Sequence, residues 1–162
     1  MFEQNSEVGE FARLATKQDI PWIEDIRERH LRSIEGQRGA ALLKAREIVP
    51  PVRFAPLSAA IQKDDCIVLS GGYDNVVFGY GFTVIEQLDP DTRIGRLTEF
   101  IVDAEIRKSG IGEAMMNLLV DILRAQGCSG IDSQALPGDR DTKNFFESFG
   151  LKARLLTVHR SI

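Results

Sequence analysis

The chain has 162 residues, 43% of them hydrophobic and 27% charged, with a formal net charge of −4. That is the composition of an ordinary globular protein sized for one hydrophobic core, and no apolar run approaches the roughly 18 residues of a membrane span. The acidic balance counts against a nucleic-acid partner, which shows itself as a basic excess or a basic stripe.

Two cysteines, Cys66 and Cys128, form neither a CxxC nor a Cys/His spacing, so neither a disulfide framework nor a metal site is expected. Both read as packing residues rather than nucleophiles. The opening MFEQNSEVGEF is acidic and polar, unlike a secretory or transit sequence, which makes a cytoplasmic location the expectation. Residues 1–9 read as a loose N-terminal extension to a single domain spanning 1–162.

Phe11, Ala12 and Leu14 suggest a short first strand. Thr16, with Asp19 three residues on, is a helix-start signature. Ile20, Ile23, Ile26, His30 and Ile34 then recur at spacings of three and four, which predicts an amphipathic helix over 17–33. A second helix is expected over 40–49, and Pro50, Pro51 and Pro56 keep the following stretch from regular helix. The period then changes. CIVLSGG (66–72), NVVFGYGFTVIEQL (75–88) and RIGRLTEFIVD (93–103) predict three consecutive antiparallel strands. Ile111, Met115, Leu118, Leu119, Ile122 and Leu123 form a wide apolar stripe on a helix over 110–126, closed by Gly127. A strand over 130–136, a helix over 139–149 and a last strand over 153–160 complete the order β-α-α-β-β-β-α-β-α-β, an α+β domain.

The run Arg107-Lys108-Ser109-Gly110-Ile111-Gly112 stands between an apolar strand and the apolar helix. Glycine lets a backbone approach a ligand closely, and the first amides of a helix point outward at its positive end. A pyrophosphate suits such a place. A dinucleotide fingerprint fails, because Met115 stands where the third glycine belongs, and a Walker loop fails for want of Gly-Lys-Ser/Thr.

With those residues in place, LTEFIVDAEIRKSGIGEAMMNLLVDIL resembles the coenzyme-A-binding motif of the Gcn5-related N-acetyltransferases (GNAT), Arg/Gln-x-x-Gly-x-Gly/Ala. NFFESFGL (144–151) is similar to that family's second motif, aromatic-Tyr-Glu-x-x-Gly-Phe. The resemblance implies the GNAT fold, a mixed and mostly antiparallel central sheet flanked by helices. It implies an acyltransferase using acetyl-CoA, with the backbone of Phe100, Ile101 and Val102 holding the pantetheine arm. The loop Arg107, Lys108, Ser109, Gly110, Ile111, Gly112 and Glu113 would hold the pyrophosphate. A homodimer is a further implication. Asp139 stands where the family commonly has Asn, and Phe146 where it has its acid tyrosine.

Leu97-Thr98-Glu99-Phe100-Ile101-Val102 also resembles the Leu-Glu-Asp-Phe-Phe-Val pattern of polyamine acetyltransferases in the same family. Glu99 is therefore the candidate catalytic base, directly or through water, with cation binding or plain solvation as its alternatives. Direct transfer to a primary amine of a small molecule or amino acid is expected, without an acyl-enzyme. The alternatives are a protein amine as acceptor, a non-catalytic acyl-CoA binder, and an acetyltransferase acting on charged tRNA. No metal and no membrane partner are expected.

Overall fold

The computed structural model describes residues 9–48 and 57–162. The expected extension thus lies outside the described residues except for Gly9, as does the Pro50–Pro56 stretch. Five strands form one sheet in the order β1-β2-β3-β4-β5: Glu10–Leu14, Cys66–Tyr73, Val76–Asp89, Thr92–Val102 and Gly130–Ser133. The first four pair antiparallel, and β5 joins β4 in parallel through a crossover helix. The helices are α1 (Ile20–Ser33), α2 (Ala40–Leu43), α3 (Leu57–Ala60), α4 (Ile111–Ala125) and α5 (Arg140–Ser148).

Each face of the sheet has its own core. On one face, Ile23 and Ile26 of α1, with Leu57 and Ala60 of α3, cover Val68, Tyr80 and Phe82. On the other, Met116, Leu119 and Leu123 of α4 and Phe146 of α5 cover Leu69, Ile85 and Leu97. The period-three-and-four stripes of α1 and α4 are what these faces require. Asp19, buried at the start of α1, accepts from Arg13 and from the Ser70 hydroxyl, tying the helix entry to β1 and β2.

Small residues set how close α4 comes. A Cβ at Gly71 would lie 2.6 Å from Met115 Cγ and 2.8 Å from Ile111 Cγ2. Gly71→Ala is therefore expected to cost about 1–3 kcal/mol through overpacking, measured as a lower urea midpoint with an unchanged slope.

Two expected elements differ. The helix predicted over 40–49 is one α-turn followed by a wider π-turn, Lys44–Ile48. The strand predicted over 153–160 has no ladder partner, and residues 152–162 are all exposed. β-propensity alone makes no strand where no neighbouring edge is paired.

Candidate functional site: a splayed strand and a helix start

β4 pairs with β5 only from Ile94 opposite Gly130 to Leu97 opposite Ser133. Beyond this point β4 runs on to Val102 without β5 beside it. The Ser133 hydroxyl closes the shared stretch by donating to the Leu97 carbonyl at 2.9 Å. On its other side β4 stays paired with β3 as far as Val102 opposite Gly79. Phe100, Ile101 and Val102 thus have no strand beside them on that edge, where an extended chain with amide groups could pair as a short strand does.

A bulge shapes this stretch. Phe82 pairs with Glu99 and Thr83 with Leu97, which leaves Thr98 as the extra residue, its hydroxyl donating to the Phe82 carbonyl at 3.1 Å. An extra residue reverses the alternation of side chains. Leu97 therefore faces α4 while Glu99 faces α1, and Phe100 returns to the α4 face.

After Val102 the chain makes a single 3-10 turn, Ala104–Ile106, and enters the glycine loop. Lys108 (φ 71°) and Gly110 (φ 94°) are both left-handed, bracketing Ser109. The Ala114 amide makes the first α4 bond, to Gly110 at 2.9 Å. The amides of Ile111, Gly112 and Glu113 are left at the positive end of the helix without intrahelical acceptors. Arg107 and Lys108 add positive charge beside them, with Arg107 half-exposed and its Nε donating to Val102 at 3.4 Å. These donors suit a pyrophosphate, and the open edge of β4 suits the amide-bearing arm that coenzyme A joins to one. The residues present fit that ligand.

Aromatic packing fixes the relation between strand and loop. Phe145 of α5 stacks on Phe100 with centroids 5.2 Å apart. Gly112 makes room for it, since a Cβ there would lie 3.2 Å from the Phe145 ring. Asp139 accepts from the Thr142 amide (3.1 Å) and hydroxyl (2.7 Å), so its carboxylate is committed to capping α5. Phe146 is buried in the core beneath α4.

Glu99 is 4% exposed and fully engaged with its neighbours. Arg27 of α1 clamps it with two bonds of 2.6 Å, Nε to Oε1 and Nη2 to Oε2. The Tyr80 hydroxyl donates to Oε1 at 2.9 Å. Burial opposes the Arg27 charge, yet the adjacent carboxylate outweighs it and holds the guanidinium above its ordinary pKa. For Tyr80, burial first and the carboxylate second push the hydroxyl well up, so it remains a donor.

Arg27 also lines a cavity of about 870 Å³ between α1 and α2, together with Glu24, Glu28, Leu31, Glu35 and Lys44. It therefore connects this cavity to Glu99. His30, on the next turn of α1, lies within electrostatic reach of both Asp139 and Arg107. Burial pushes its pKa down and Arg107 adds to this, while Asp139 opposes both. Other titratable side chains stand elsewhere: Tyr73 and His159 are exposed, and burial pushes the Cys66 and Cys128 thiols up. Among the described residues, no cluster of His, Cys, Asp and Glu could hold a metal ion and no helix is long and apolar enough to cross a membrane.

The structure thus makes strand 100–102 and loop 107–113 one continuous surface, with Glu99 turned to the opposite face of the sheet. Sequence reasoning missed Arg27. Its position continues the inward spacing Ile20, Ile23, Arg27, His30, Ile34, and an arginine on an otherwise apolar stripe is the signal that marks it.

The model of the acetyltransferase (GNAT) family matches residues 33–151. No curated protein matches the chain. Among solved structures, a tetramutant of the BH1408 protein from Bacillus halodurans superposes with a TM-score of 0.77 at 20% identity, covering 94% of this chain and 99% of its own. A ribosomal-protein-alanine N-acetyltransferase from Brucella melitensis gives 0.69 at 15% identity, with 94% and 99% covered. An aminoglycoside acetyltransferase, meta-AAC0020 from an uncultured soil metagenomic sample, gives 0.65 at 17% identity, with 94% and 95% covered. At these identities the likeness is one of fold.

Proposed function

The chain belongs to the acetyltransferase (GNAT) family, and we propose that it transfers an acetyl group from acetyl-CoA directly to a primary amine of a small molecule or amino acid. The observation that carries this reading is the open edge of β4, Phe100–Val102, leading straight into three free amides at the start of α4. One ligand with an amide-bearing arm and a pyrophosphate satisfies both. The arm would pair with the backbone of Phe100, Ile101 and Val102. Its pyrophosphate would lie on Arg107, Lys108, Ser109, Gly110, Ile111, Gly112 and Glu113.

The acceptor would enter through the cavity between α1 and α2, whose lining sets Glu24, Glu28 and Glu35 against Arg27, Arg32 and Lys44. Glu28 is already paired with Arg32 one turn on, which leaves Glu24 and Glu35 as the carboxylates for an ammonium group. A volume of about 870 Å³ is in the range of small-molecule sites.

Glu99 is the proposed proton acceptor. Two donors occupy its Oε1, whereas Oε2 receives only Arg27 Nη2. A carboxylate oxygen has two lone pairs, so Oε2 can take a further bond from an amine or a bridging water. The ammonium group first loses one proton to solvent, giving the neutral amine that attacks; a weak base then suffices for the second proton, because nitrogen in the new C–N bond is far more acidic than a free ammonium. The bond that breaks is C–S, and a thiolate leaves readily near neutral pH. Phe146 has no proton to give, so solvent supplies the thiol proton, and positioning carries most of the rate.

Free-thiol release across a panel of small primary amines tests the reading. Turnover with at least one amine is expected, and acetyl-CoA bound without any turnover would make the protein a binder. Incubation with radiolabelled acetyl-CoA alone is expected to leave the denatured protein unlabelled. A covalent label would overturn direct transfer.

A further inference from the structure

The two walls of the cavity between α1 and α2 differ in chemistry, and the difference bears on which amine they take. From α1 come Glu24, Arg27, Glu28 and Leu31, at the spacings of three and four that define one helix face. The chain then turns through two left-handed glycines, Gly36 (φ 83°) and Gly39 (φ 85°), before α2 lines the other side. That side consists of Ala40, Ala41 and Ala45, with Lys44 among them. Alanine carries nothing beyond Cβ, so this wall is apolar and leaves the space in front of it unfilled. Ile34, Ala40 and Leu136 are buried together, with Leu31 and Leu43 packed against them. Leu31, Ile34 and Ala40 also line the cavity, so this cluster gives it an apolar floor.

Charge sets a second condition. Glu24, Glu28 and Glu35 are matched by Arg27, Arg32 and Lys44, so the lining by itself is neutral. Glu28 is paired with Arg32, and Arg27 with Glu99. With the Glu99 carboxylate that Arg27 joins to the cavity, the site carries one net negative charge. One ammonium group balances it. A second or third would stand among Arg27, Arg32 and Lys44 with no net charge to meet it. A polyamine or an aminosugar also brings polar groups that an alanine wall leaves without partners.

On the reading that this cavity receives the acceptor of acetyl transfer, we propose that the acceptor is a monoamine with an apolar body, an alkyl or aryl chain. Its amino group reaches past Arg27 toward Glu99, and its chain lies against Leu31, Ala41 and Ala45. Burial of the chain supplies the affinity. The balanced charges around it select against polycations.

Thiol release at saturating acetyl-CoA is measured with butylamine, hexylamine, octylamine and 2-phenylethylamine, and with ethanolamine, spermidine and kanamycin for comparison. KM is expected to fall about two- to fourfold for each methylene added between butylamine and hexylamine, with kcat within about threefold. Ala41→Asp places a charge on the apolar wall at an exposed position. It is expected to raise KM for hexylamine at least tenfold, with coenzyme A affinity in calorimetry within twofold of the wild type. If neither this variant nor Ala45→Asp folds, the alkylamine series on the wild type still decides. A higher kcat/KM for spermidine or kanamycin than for hexylamine overturns the apolar class and leaves acetyl transfer standing. So does a KM that ignores chain length. If acetyl-CoA binds but no amine releases thiol, transfer itself fails, and titration of the same alkylamines into the coenzyme A complex then isolates the wall. Affinity that rises with chain length supports an apolar amine site; affinity that does not overturns it.

Discussion

Arg27→Ala is expected to lower the unfolding free energy by about 3–5 kcal/mol, the usual cost of stranding one member of a buried ion pair. Glu99 is 4% exposed, and two of its three hydrogen bonds come from Arg27. Removing the guanidinium leaves a carboxylate facing Tyr80 and the α1 core with a single donor and little water. The Arg27 side chain also lies over the Tyr80 ring, 5.9 Å from its centroid, so truncation removes packing as well as charge. Replacing both partners at once, Arg27→Met with Glu99→Gln, is expected to recover much of that loss, because no buried charge is then left unpaired. Urea unfolding of the two single variants and the double variant gives the coupling directly. Equal, additive losses would mean that the pair contributes only through packing. Thiol-release kinetics separate the two roles of Glu99. The double variant, stable but without the carboxylate, is expected to remain slow if Glu99 accepts the amine proton.

Much of this arrangement is legible in the sequence, and the unread parts share a physical cause. The alternation in 66–102 gives the antiparallel strands, and the stripe from Ile111 to Leu123 gives the crossover helix, because burial on one face imposes those periods locally. The RKSGIG turn is legible because its glycines sit at a strand-to-helix junction, and Gly110 indeed takes a left-handed conformation. What was not legible depends on partners distant in sequence. The extra residue at Thr98 is defined only by how β4 lies against β3, yet it decides which face Glu99 takes. The clamp from Arg27 spans 72 positions, and nothing near Glu99 announces it. The strand expected over 153–160 has the right residues but no neighbour within its own chain, and a strand is a property of a pair. Phe145 and Phe146 divide in a way adjacency hides: one ring stacks on Phe100 at the cleft while the other is buried under α4.

Gly110→Ala is expected to weaken coenzyme A binding by at least tenfold, about 1.4 kcal/mol, in isothermal titration. Two glycines make the comparison that isolates this effect. Gly110 and Gly127 stand at opposite ends of α4, with φ of 94° and 76°. A side chain at either one meets the left-handed penalty of roughly 1–2 kcal/mol, so both substitutions should lower the melting temperature by similar amounts. Their surroundings differ. A Cβ at Gly127 has nothing within 4 Å, whereas at Gly110 it would sit 2.7 Å from a Glu10 carboxylate oxygen. The flexible Glu10 side chain can retreat, so that contact adds little; the backbone is what must move. At Gly110 such movement rotates the amides of Ile111, Gly112 and Glu113 away from a common focus, and three weakened charge-assisted bonds account for the loss. At Gly127 it frays the far end of the helix, and coenzyme A affinity should stay within twofold of the wild type. Equal losses at both positions would trace the effect to general destabilisation. A Gly110 variant that binds as tightly as the wild type would remove the helix start from the proposed pyrophosphate site and leave the open edge of β4 to hold the ligand alone.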